Sequence, residues 1–511
     1  MSGGAEVVVY AATSAGVCAA VAAAQAGATV TLLEPGRHVG GMTSGGLGYT
    51  DVGDVRVLGG MAARFRVAVA GHYGVPVGRY AGPEPRVAET IFHGWLDHPR
   101  ITVVTGADLD EVEVRDGRIA AVRTGDGRTH RGGVFVDASY EGDLMAAAGV
   151  TYSVGREDRN RYGERWAGRQ EPLPGMHNMP PYVSPFVDDP EGLRQGSVLP
   201  QVRDTPMAPV GSGDGGVMAY GYRVCLTTAA DRVPFTRRDG YDEAHWELGR
   251  RLFDHWRRTG GTPSAGRLIG LEPNLPNGKC DGNSLGPFSL NVLDGAAWRY
   301  PEADPAGRER LRRRHRDHTR DFLYFLAHDP AVPADVRREM GRWGLPADEF
   351  ADTGHLPHQL YVREARRMHG EYVLTEHDLL GARRQHDVVA LGSYHLDIRE
   401  VQRTWRWVPE HPRPTAMVVT EGYLSVPVPV YPIPYRALTP RYAECANLLV
   451  PVCLSASHVA FSSIRMEVQY QMLGHAAGVA AVLALAGDRA VQSVDVSDLQ
   501  GRLRDAGQVL A

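Results

Sequence analysis

The sequence predicts an α/β fold: a Rossmann-like domain assembled from N- and C-terminal segments, with an inserted α+β substrate domain. Three observations predict it. The first 34 residues carry strand, turn, helix and strand signals in that order, and a buried-type strand at 447–452 leads into an alanine-rich helix at about 465–486. Short strands and long loops fill the stretch between them. We place the first domain at 1–155 and 415–511, and the second, with its long loops, at 156–414.

The N-terminal segment reads as a βαβ unit. Its strands are apolar and rich in β-branched residues, and its helix is rich in alanine. In order, the elements are a strand at 6–10, a small-residue turn at 11–16, a helix at 17–25 that Gly27 ends, and a strand at 29–33 that ends at Glu34.

A tight turn between a strand and a helix forms a site for a diphosphate, because the helix N-terminus offers unpaired N–H groups and a partial positive charge. Against the pattern G-x-G-x-x-G, Ala11 and Thr13 replace the first two glycines, and Gly16 remains. Glu34 follows Ala11 by 23 positions, close to the spacing of a carboxylate that binds ribose hydroxyls. An ordinary βαβ packing unit is the alternative.

The segment after Glu34 favours a flavin nucleotide over a nicotinamide one. The chain has 60 glycines in 511 residues, and their densest cluster lies at 36–48, directly after the acidic residue. Open backbone at this point would run along the diphosphate and ribityl chain of a flavin, whereas a nicotinamide site needs no such loop.

The middle of the chain predicts mixed structure. Residues 101–136 read as a β-meander inserted into the larger domain, 155–216 as long ordered loops, and 218–228 as a strand. Residues 305–328 predict a strongly charged helix. Because both signs of charge occur on it, a solvated face is favoured over nucleic-acid binding.

The composition argues against several classes of protein and of binding site. With 55 basic and 60 acidic residues, a net charge of −5 and 43% hydrophobic residues, the chain resembles a soluble globular protein and not a nucleic-acid binder. Five scattered cysteines without a CxxC motif predict neither disulfides nor a zinc site, and no metal is expected. The uncharged run at 14–33 contains glycine, serine and threonine, so we expect no membrane span and a cytoplasmic location.

Four blocks of sequence resemble a known family. The run VVVYAATSAGVCAAVAAAQAGATVTLLEPGRHVGGMTSGGLG is similar to the FAD-binding start of the glutathione-reductase-type (two-dinucleotide-binding-domain) flavoprotein superfamily, and most similar to its bacterial FAD-dependent oxidoreductase family. The similarity continues through 135–145, 361–368 and 455–467, in order and over nearly the whole chain. The family commonly carries glycines at 11 and 12, where this chain has alanines.

The resemblance implies that FAD is the cofactor, bound by a discontinuous FAD-binding domain. We expect non-covalent binding, with a covalent link as the alternative. Only one dinucleotide motif is present, so no separate NAD(P)H domain is expected. The residues expected to bind the cofactor are Thr13, Ser14, Ala15, Gly16, Glu34, Pro35, Gly36, Arg37, Gly40, Gly41, Met42, Ser44, Gly45, Asp137, Ala138, Gly142, Ile464 and Met466.

Two residues of the last block are the candidates for catalysis. A flavin accepts hydride at N5, and the charge that develops near N1 needs a helix N-terminus or a cation. The resemblance places 463–466 beside the ring, so backbone N–H groups there and Arg465 are candidates; an ion pair of Arg465 with Glu467 or another acid is the alternative. His458 is the candidate to accept a substrate proton, since imidazole has a suitable pKa. A structural histidine is its alternative.

The substrate residues are harder to assign. Lys279, the single lysine, lies with Asp281 and Asn283 in one polar loop, and Tyr394 and His395 could line the same pocket together with Asp397. The arginines of 361–368 favour a buried ion-pair network with Glu364 and Glu371. If those arginines reach the pocket instead, they would suit an anionic substrate.

The resulting hypothesis is an FAD-dependent oxidoreductase that dehydrogenates a small organic substrate by hydride transfer to N5. Oxygen or another acceptor would reoxidise the flavin. A flavin-dependent monooxygenase and a non-catalytic flavin-binding protein are the alternatives. The expected partners are a small-molecule substrate and that acceptor, without nucleic acid or membrane, and the sequence leaves the oligomeric state open.

Overall fold

The computed structural model describes residues 5–175, 177–409 and 413–511. Its strands are β1 (Val7–Tyr10), β2 (Val30–Glu34), β3 (Ile101–Thr105), β4 (Leu109–Arg115), β5 (Arg118–Thr124), β6 (Thr129–His130), β7 (Val134–Asp137), β8 (Tyr152–Ser153), β9 (Val224–Leu226), β10 (Cys280–Gly282), β11 (Arg367–Met368), β12 (Val388–Gly392), β13 (Leu396–Ile398), β14 (Gln402–Val408), β15 (Thr415–Glu421), β16 (Leu424–Val426), β17 (Tyr431–Pro434) and β18 (Leu448–Leu449).

The α-helices lie mainly in the first, middle and last parts of the chain. They are α1 (Ser14–Gln25), α2 (Gly41–Ser44), α3 (Gly60–Tyr73), α4 (Pro85–Leu96), α5 (Asp143–Ala147), α6 (Arg159–Tyr162), α7 (Glu247–Thr259), α8 (Ala265–Ile269), α9 (Pro305–His328), α10 (Ala334–Met340), α11 (Glu376–Leu379), α12 (His458–Ile464), α13 (Glu467–Ala486) and α14 (Val496–Asp505).

A five-stranded parallel sheet in the order β18-β7-β1-β2-β3 organises the fold. Strand β1 lies at its centre and is buried along its whole length, which explains its continuous apolar sequence. The predicted βαβ unit is present as β1, α1 and β2, and the predicted α/β class with a parallel sheet is confirmed.

Both ends of the chain build this sheet and its helical layer. Strand β18 pairs with β7, and helix α13 packs along α1. The two helices approach closely because α13 carries glycine at the contacts: a Cβ added to Gly474 would lie 2.1 Å from the carbonyl oxygen of Ala15, and one on Gly478 would lie 2.3 Å from that of Ala19. The domain boundaries at 155 and 415 stay a prediction.

Three sequence-based elements need correction. The meander covers only β4, β5 and β6, because the strand at 101–105 pairs with β2 as the edge of the parallel sheet, and β7 pairs with β1. The strand predicted at 218–228 is reduced to β9, and the one at 447–452 to β18. The helix predicted at 465–486 is present as α13, which begins two residues later because Met466 has an extended backbone (ψ 140°); the separate helix α12 before it was not predicted.

The middle of the chain has a second apolar core. Trp246 stacks on Phe322 and Phe325, and Phe288 packs against them edge-on. Helix α9 has the bounds that its charge pattern predicts, with its apolar C-terminal part buried in this core. Described residues between 155 and 216 form loops apart from the single turn of α6, as predicted.

By length and composition alone, one helix of the described ranges, α13, could cross a membrane, and 83% of its most apolar window is buried inside the protein. The five cysteines are all free and buried.

Candidate functional site

The turn between β1 and α1 is closed by small residues in unusual backbone geometry. Ala11 has a φ of 70°, in the left-handed region that favours glycine. Thr13 caps α1: its hydroxyl accepts the N–H of Gly16 at 3.2 Å and donates to the carbonyl of Ala138 at 2.8 Å. A Cβ on Gly16 would lie 2.0 Å from the carbonyl oxygen of Ala11, so glycine is required there. Ser14 and Ala15 begin the helix, whose first-turn N–H groups have no partner within it.

Glu34 ends β2 directly opposite this turn. Its Oε2 accepts the N–H of Ala12 at 2.7 Å and its Oε1 accepts the N–H of Gly36 at 2.6 Å. Burial raises the pKa of this carboxyl to about 7, although the two backbone donors oppose the rise. The carboxylate therefore organises the turn, and its role toward a ribose stays a prediction.

The glycine-rich loop folds back over the start of α1. The N–H of Gly40 donates to the carbonyl of Ala12 at 2.6 Å, and Gly40 and Gly41 both have positive φ. Pro35 is half-buried, Gly36 and Arg37 are exposed, and from Gly40 onward the loop is buried. Met42, Ser44 and Gly45 continue it in and after the single turn of α2, with the Ser44 hydroxyl donating to the carbonyl of Val39 at 2.5 Å.

The loop after β7 lies beside the same turn. The carboxylate of Asp137 accepts the backbone N–H groups of Ser139 and Met145, and burial raises its pKa to about 6. Gly142 has a φ of 70° and precedes α5. Ala138, which follows Asp137, accepts the hydroxyl of Thr13 at the start of α1, so the loop adjoins the turn; the role of these residues toward a cofactor stays a prediction.

Sequence reasoning missed a buried carboxylate that joins these segments. Glu467, the first residue of α13, accepts the hydroxyls of Ser14 and Thr43 at 2.6 Å each and that of Tyr140 at 2.8 Å. Burial raises its pKa, and the three hydroxyl donors oppose the rise. No local signal identifies this partner set, because its members lie hundreds of positions apart.

His458 begins α12 and is paired with a carboxylate that the sequence pattern assigns to an arginine network. Its Nδ1 lies 2.8 Å from Oε1 and 2.9 Å from Oε2 of Glu364, and its backbone N–H donates to Glu157 at 2.9 Å. Its Nε2 is buried and has no hydrogen-bond partner among the described residues. Because the carboxylate favours a proton on Nδ1, Nε2 is free to accept one.

Arg465 lies between α12 and α13 and is ion-paired with an acid other than Glu467. Its Nη2 lies 2.7 Å from the carboxylate of Asp397, and its Nη1 donates to the Tyr361 hydroxyl at 3.4 Å. Its Nε is buried and unpartnered in the described structure. Ile464 is fully buried in the last turn of α12, before this arginine, and Met466 caps α13 after it.

Of the predicted substrate residues, Tyr394, His395 and Asp281 lie near Arg465, whereas Lys279 lies in a different part of the structure. Tyr394 and His395 lie beside Arg465: the carbonyl of Tyr394 accepts the Ser463 hydroxyl at 2.5 Å, and Nε2 of His395 is 3.9 Å from Asp397. Asp281 joins them through Arg223, whose Cζ lies 5.9 Å from the centre of the Tyr361 ring. Asn283 bonds the N–H of Ser284.

Lys279 lies elsewhere, in a cluster of three carboxylates. Its ammonium is 2.7 Å from Glu84, 2.7 Å from Asp348 and 2.8 Å from Glu349. These three acids satisfy its donors, so the structure gives the single lysine a role in holding segments together. Its assignment to a substrate has no structural support.

The arginines of 361–368 form only part of the predicted network. Arg367 is paired with Glu364 and Glu157, and Arg366 with Asp143 and Glu302. The carboxylate of Glu371 instead accepts the N–H of Tyr442. Arg363 has no carboxylate partner in the described part of the chain, and it contacts the carbonyl of Ala219 and the amide of Asn291.

A separate apolar cavity of about 850 Å³ lies between the loop 172–181 and strands β14 and β15. Its walls include Met179, Trp256, Leu268 and Met417. None of the site residues predicted from the sequence lines it.

Comparison with known proteins gives one match over nearly the whole chain. Residues 6–503 match the family model described as FAD dependent oxidoreductase. No curated protein matches the chain.

Solved structures match over smaller parts. They include T. acidophilum thioredoxin reductase (16% identity, 26% of this chain and 34% of that one, TM-score 0.18) and Aquifex aeolicus GidA (15%, 31% and 34%, TM-score 0.22). A third is L-proline dehydrogenase from P. horikoshii (17%, 31% and 59%, TM-score 0.24). The first structures matched are covered over about a third of their own length.

Proposed function

The chain belongs to the FAD-dependent oxidoreductase family and is an enzyme that uses FAD, and from that premise we propose that it dehydrogenates a small organic substrate. Oxygen or another acceptor would then reoxidise the cofactor. The observation that carries the proposal is His458, a buried histidine whose Nδ1 is held by Glu364 and whose Nε2 is free.

The residues present fit FAD. The small residues of the turn at 11–16 and the N-terminus of α1 are suited to hold a diphosphate, with Glu34 and the loop 35–45 beside them. Near the start of α13, both polar atoms of the Gln469 side chain are buried without a partner in the described structure, as is Nε of Arg465; Nε2 of His458, at the start of α12, is unpartnered too. Buried polar atoms normally have partners, so this concentration favours a polar ligand at that place.

When bound, FAD supplies a two-electron acceptor. The chain's own residues accept the substrate proton and place positive charge near the start of α13. His458 accepts the substrate proton at Nε2, while Glu364 keeps the ring oriented and stabilises the imidazolium that results. Arg465, fixed by Asp397, places a cation at the start of α13, whose N-terminal N–H groups add partial positive charge.

The proposed arrangement gives each part of the chain a task. Segments 1–155 and 415–511 would hold the cofactor, and 156–414 would supply most of the substrate contacts. Tyr394, His395 and Asp281 are the proposed substrate residues, because they lie around Arg465.

An anaerobic reduction experiment tests the proposal. The purified holoenzyme is mixed, without NAD(P)H, with a panel of alcohols, amines and organic acids, and the flavin absorbance is followed. Bleaching by a panel member, followed by recovery on admission of air, supports dehydrogenation. Bleaching that requires NAD(P)H for every substrate would contradict it and favour a monooxygenase.

A further inference from the structure

Arg363 is a buried cation without a carboxylate partner in the described structure. The residue is 4% exposed, and its Nη1 donates to two neutral acceptors, the carbonyl of Ala219 and Oδ1 of Asn291. Within the described ranges it forms no ion pair. An arginine in this position has lost its hydration shell without gaining an opposite charge in exchange.

Its neighbours are other buried arginines, each of which has its own acid. Arg223 is paired with Asp281, Arg399 with Glu400 and Arg465 with Asp397. The ring of Tyr361 lies in their midst, with the Cζ of Arg363 4.4 Å from its centre and its hydroxyl accepting a hydrogen bond from Arg465. Arg363 is therefore the member of this arginine cluster whose charge is unmatched.

The electrostatics agree with the contacts. Burial lowers the pKa of Arg363 to about 9, with Arg399 and Arg465 lowering it further, while Tyr361 and Glu400, the partner of Arg399, oppose them. The Nε atoms of Arg399 and Arg465 are also buried and unpartnered in the described structure. Two unused guanidinium donors thus occur in the cluster of Arg363, and the planar fork of arginine matches the two oxygens of a carboxylate.

One further acid belongs to this cluster. Burial raises the pKa of Asp51, Arg223 opposes the rise, and Asp397 and Asp281 add to it. The shift favours the neutral form of Asp51, and this residue makes no ion pair with Arg363 in the described structure. It therefore does not replace the missing partner.

The cluster adjoins the proposed proton acceptor. Glu364, which follows Arg363 in the chain, holds the ring of His458. Strand β13, which carries Asp397, packs against α12, which carries His458. A group bound to Arg363 would therefore be held by the neighbour in sequence of Glu364, which orients the ring of His458.

We propose that Arg363 binds a carboxylate of the substrate, so that the enzyme oxidises a small organic acid and not a neutral alcohol, amine or sugar. The inference rests on the proposed dehydrogenation and names its substrate class. It concerns recognition and adds no chemical step.

A binding experiment with simple carboxylates as probes tests the proposal. The holoenzyme is titrated with acetate, propionate and benzoate, and with the matching amides, while the flavin spectrum is recorded. We expect saturable spectral changes with at least one carboxylate and at least tenfold weaker binding of its amide. Equal binding of acid and amide, or no response to any carboxylate, would overturn the inference.

Variants of the enzyme test whether Arg363 is the residue that binds the carboxylate. Arg363→Gln should weaken carboxylate binding at least tenfold, with partial recovery in Arg363→Lys. Arg403 is the matched control: it is equally buried and has no carboxylate partner in the described structure, but it lies over Phe288, away from Tyr361. Arg403→Gln should leave the affinity within twofold. Unchanged affinity in Arg363→Gln would contradict the assignment, and the acid–amide comparison on the unaltered enzyme stands even if a variant does not fold.

The two proposals fail in different ways. Full anaerobic bleaching of Arg363→Gln by a neutral substrate would sink the carboxylate assignment and leave dehydrogenation intact. Carboxylate binding without bleaching by any acid of the panel would support the Arg363 site and contradict the proposed reaction.

Discussion

Nδ1 of His458 lies 2.8 Å from the carboxylate of Glu364, whereas Nε2 of the same ring has no partner in the described part of the chain. The two residues are 94 positions apart, and both are almost fully buried. A fixed tautomer with one free nitrogen is what a base needs, and the carboxylate on Nδ1 distinguishes His458 from His318, whose bonded nitrogen meets only the carbonyl of Ser289.

Replacing His458 by alanine should lower kcat by at least about 100-fold while leaving the flavin bound, because a general base contributes roughly 10²–10⁴-fold. Glu364→Gln should lower kcat and shift the pH profile of kcat, since Glu364 acts through His458 as a positioning residue. His369→Ala, which changes a half-buried histidine bonded to Ser153, is the control and should leave kcat within threefold. Near-normal turnover of His458→Ala would refute the role.

Ala11→Gly should stabilise the protein. Ala11 has a φ of 70°, which costs a non-glycine residue about 1–2 kcal/mol, while the extra freedom of glycine in the unfolded chain costs about 0.4–1 kcal/mol. We expect a net gain of about 0.5–1 kcal/mol in the free energy of unfolding, measured by denaturant titration. Ala12→Gly, at a residue without positive φ, should instead destabilise; equal effects of both changes would contradict the explanation.

Gly474→Ala should weaken the contact between α13 and α1. The new Cβ would lie 2.1 Å from the carbonyl oxygen of Ala15, and backbone atoms cannot move aside cheaply, so we expect a loss of about 1–3 kcal/mol or more. Gly501→Ala, in α14 with open space around it, should raise stability by up to about 1 kcal/mol. Thermal unfolding measures both, and a tolerated Gly474→Ala would disprove the close contact.

The titration of Glu164 should make the free energy of unfolding of the protein depend on pH. Its Oε1 accepts from Ser457 and Glu376, its Oε2 is buried without a partner in the described structure, and burial raises its pKa to about 7. Because its ordinary pKa is 4.5, the folded state binds the proton more tightly, and this contribution to stability falls as pH rises from about 4.5 through 7.

Glu164→Gln should remove that decline. At pH 5 the variant and the wild type should unfold at similar temperatures, whereas at about pH 8 the variant should be more stable by roughly 1–3 kcal/mol. Unfolding curves at several pH values measure the difference. Parallel pH profiles of the two proteins would show that this carboxyl does not titrate as proposed.

Lys279→Ala should destabilise the protein, because it leaves buried Glu84 and Glu349 beside Asp348 with the half-exposed Arg86 as their remaining cationic partner in the described structure. Breaking a buried ion pair in this way costs about 3–5 kcal/mol.

Three carboxylates at this spacing are also suited to Ca²⁺, so millimolar Ca²⁺ should raise the Tm of the variant and leave that of the wild type unchanged. An unchanged Tm of the variant, with or without Ca²⁺, would contradict both expectations.

Local patterns in the sequence predicted the parts of the fold that depend on local contacts. The strand, turn, helix and strand around Gly16 and Glu34 were within three residues of their observed bounds, because apolar runs and small-residue turns signal them directly. The helix from 465 onward was predicted to within two residues, but α12 before it was missed, since the extended backbone at Met466 that separates the two helices has no local signal. Edge strand β3 was misassigned because its partner, β2, lies about 70 positions earlier.

The candidate site was predictable only where one segment carries the information. His458 and Arg465 follow from the block 455–467, but their acids do not, since Glu364 and Asp397 come from other segments. Arg363 differs from the neighbouring arginines because it has no carboxylate partner in the described structure. Whether an arginine has such a partner depends on residues from other segments, so the local sequence does not predict it.

The glycine contacts between α1 and α13 have a consequence for biosynthesis. More than 440 residues separate these helices in the chain, and translation at roughly 5–20 residues per second leaves about 20–90 s between their appearances. During that interval the surface of α1 that contacts α13 lacks this partner on the ribosome, although earlier elements such as α4 already pack on other parts of the helix. The nascent protein is thus exposed to misassociation until its last segment is made, and a chaperone that shields the first 34 residues would raise its yield.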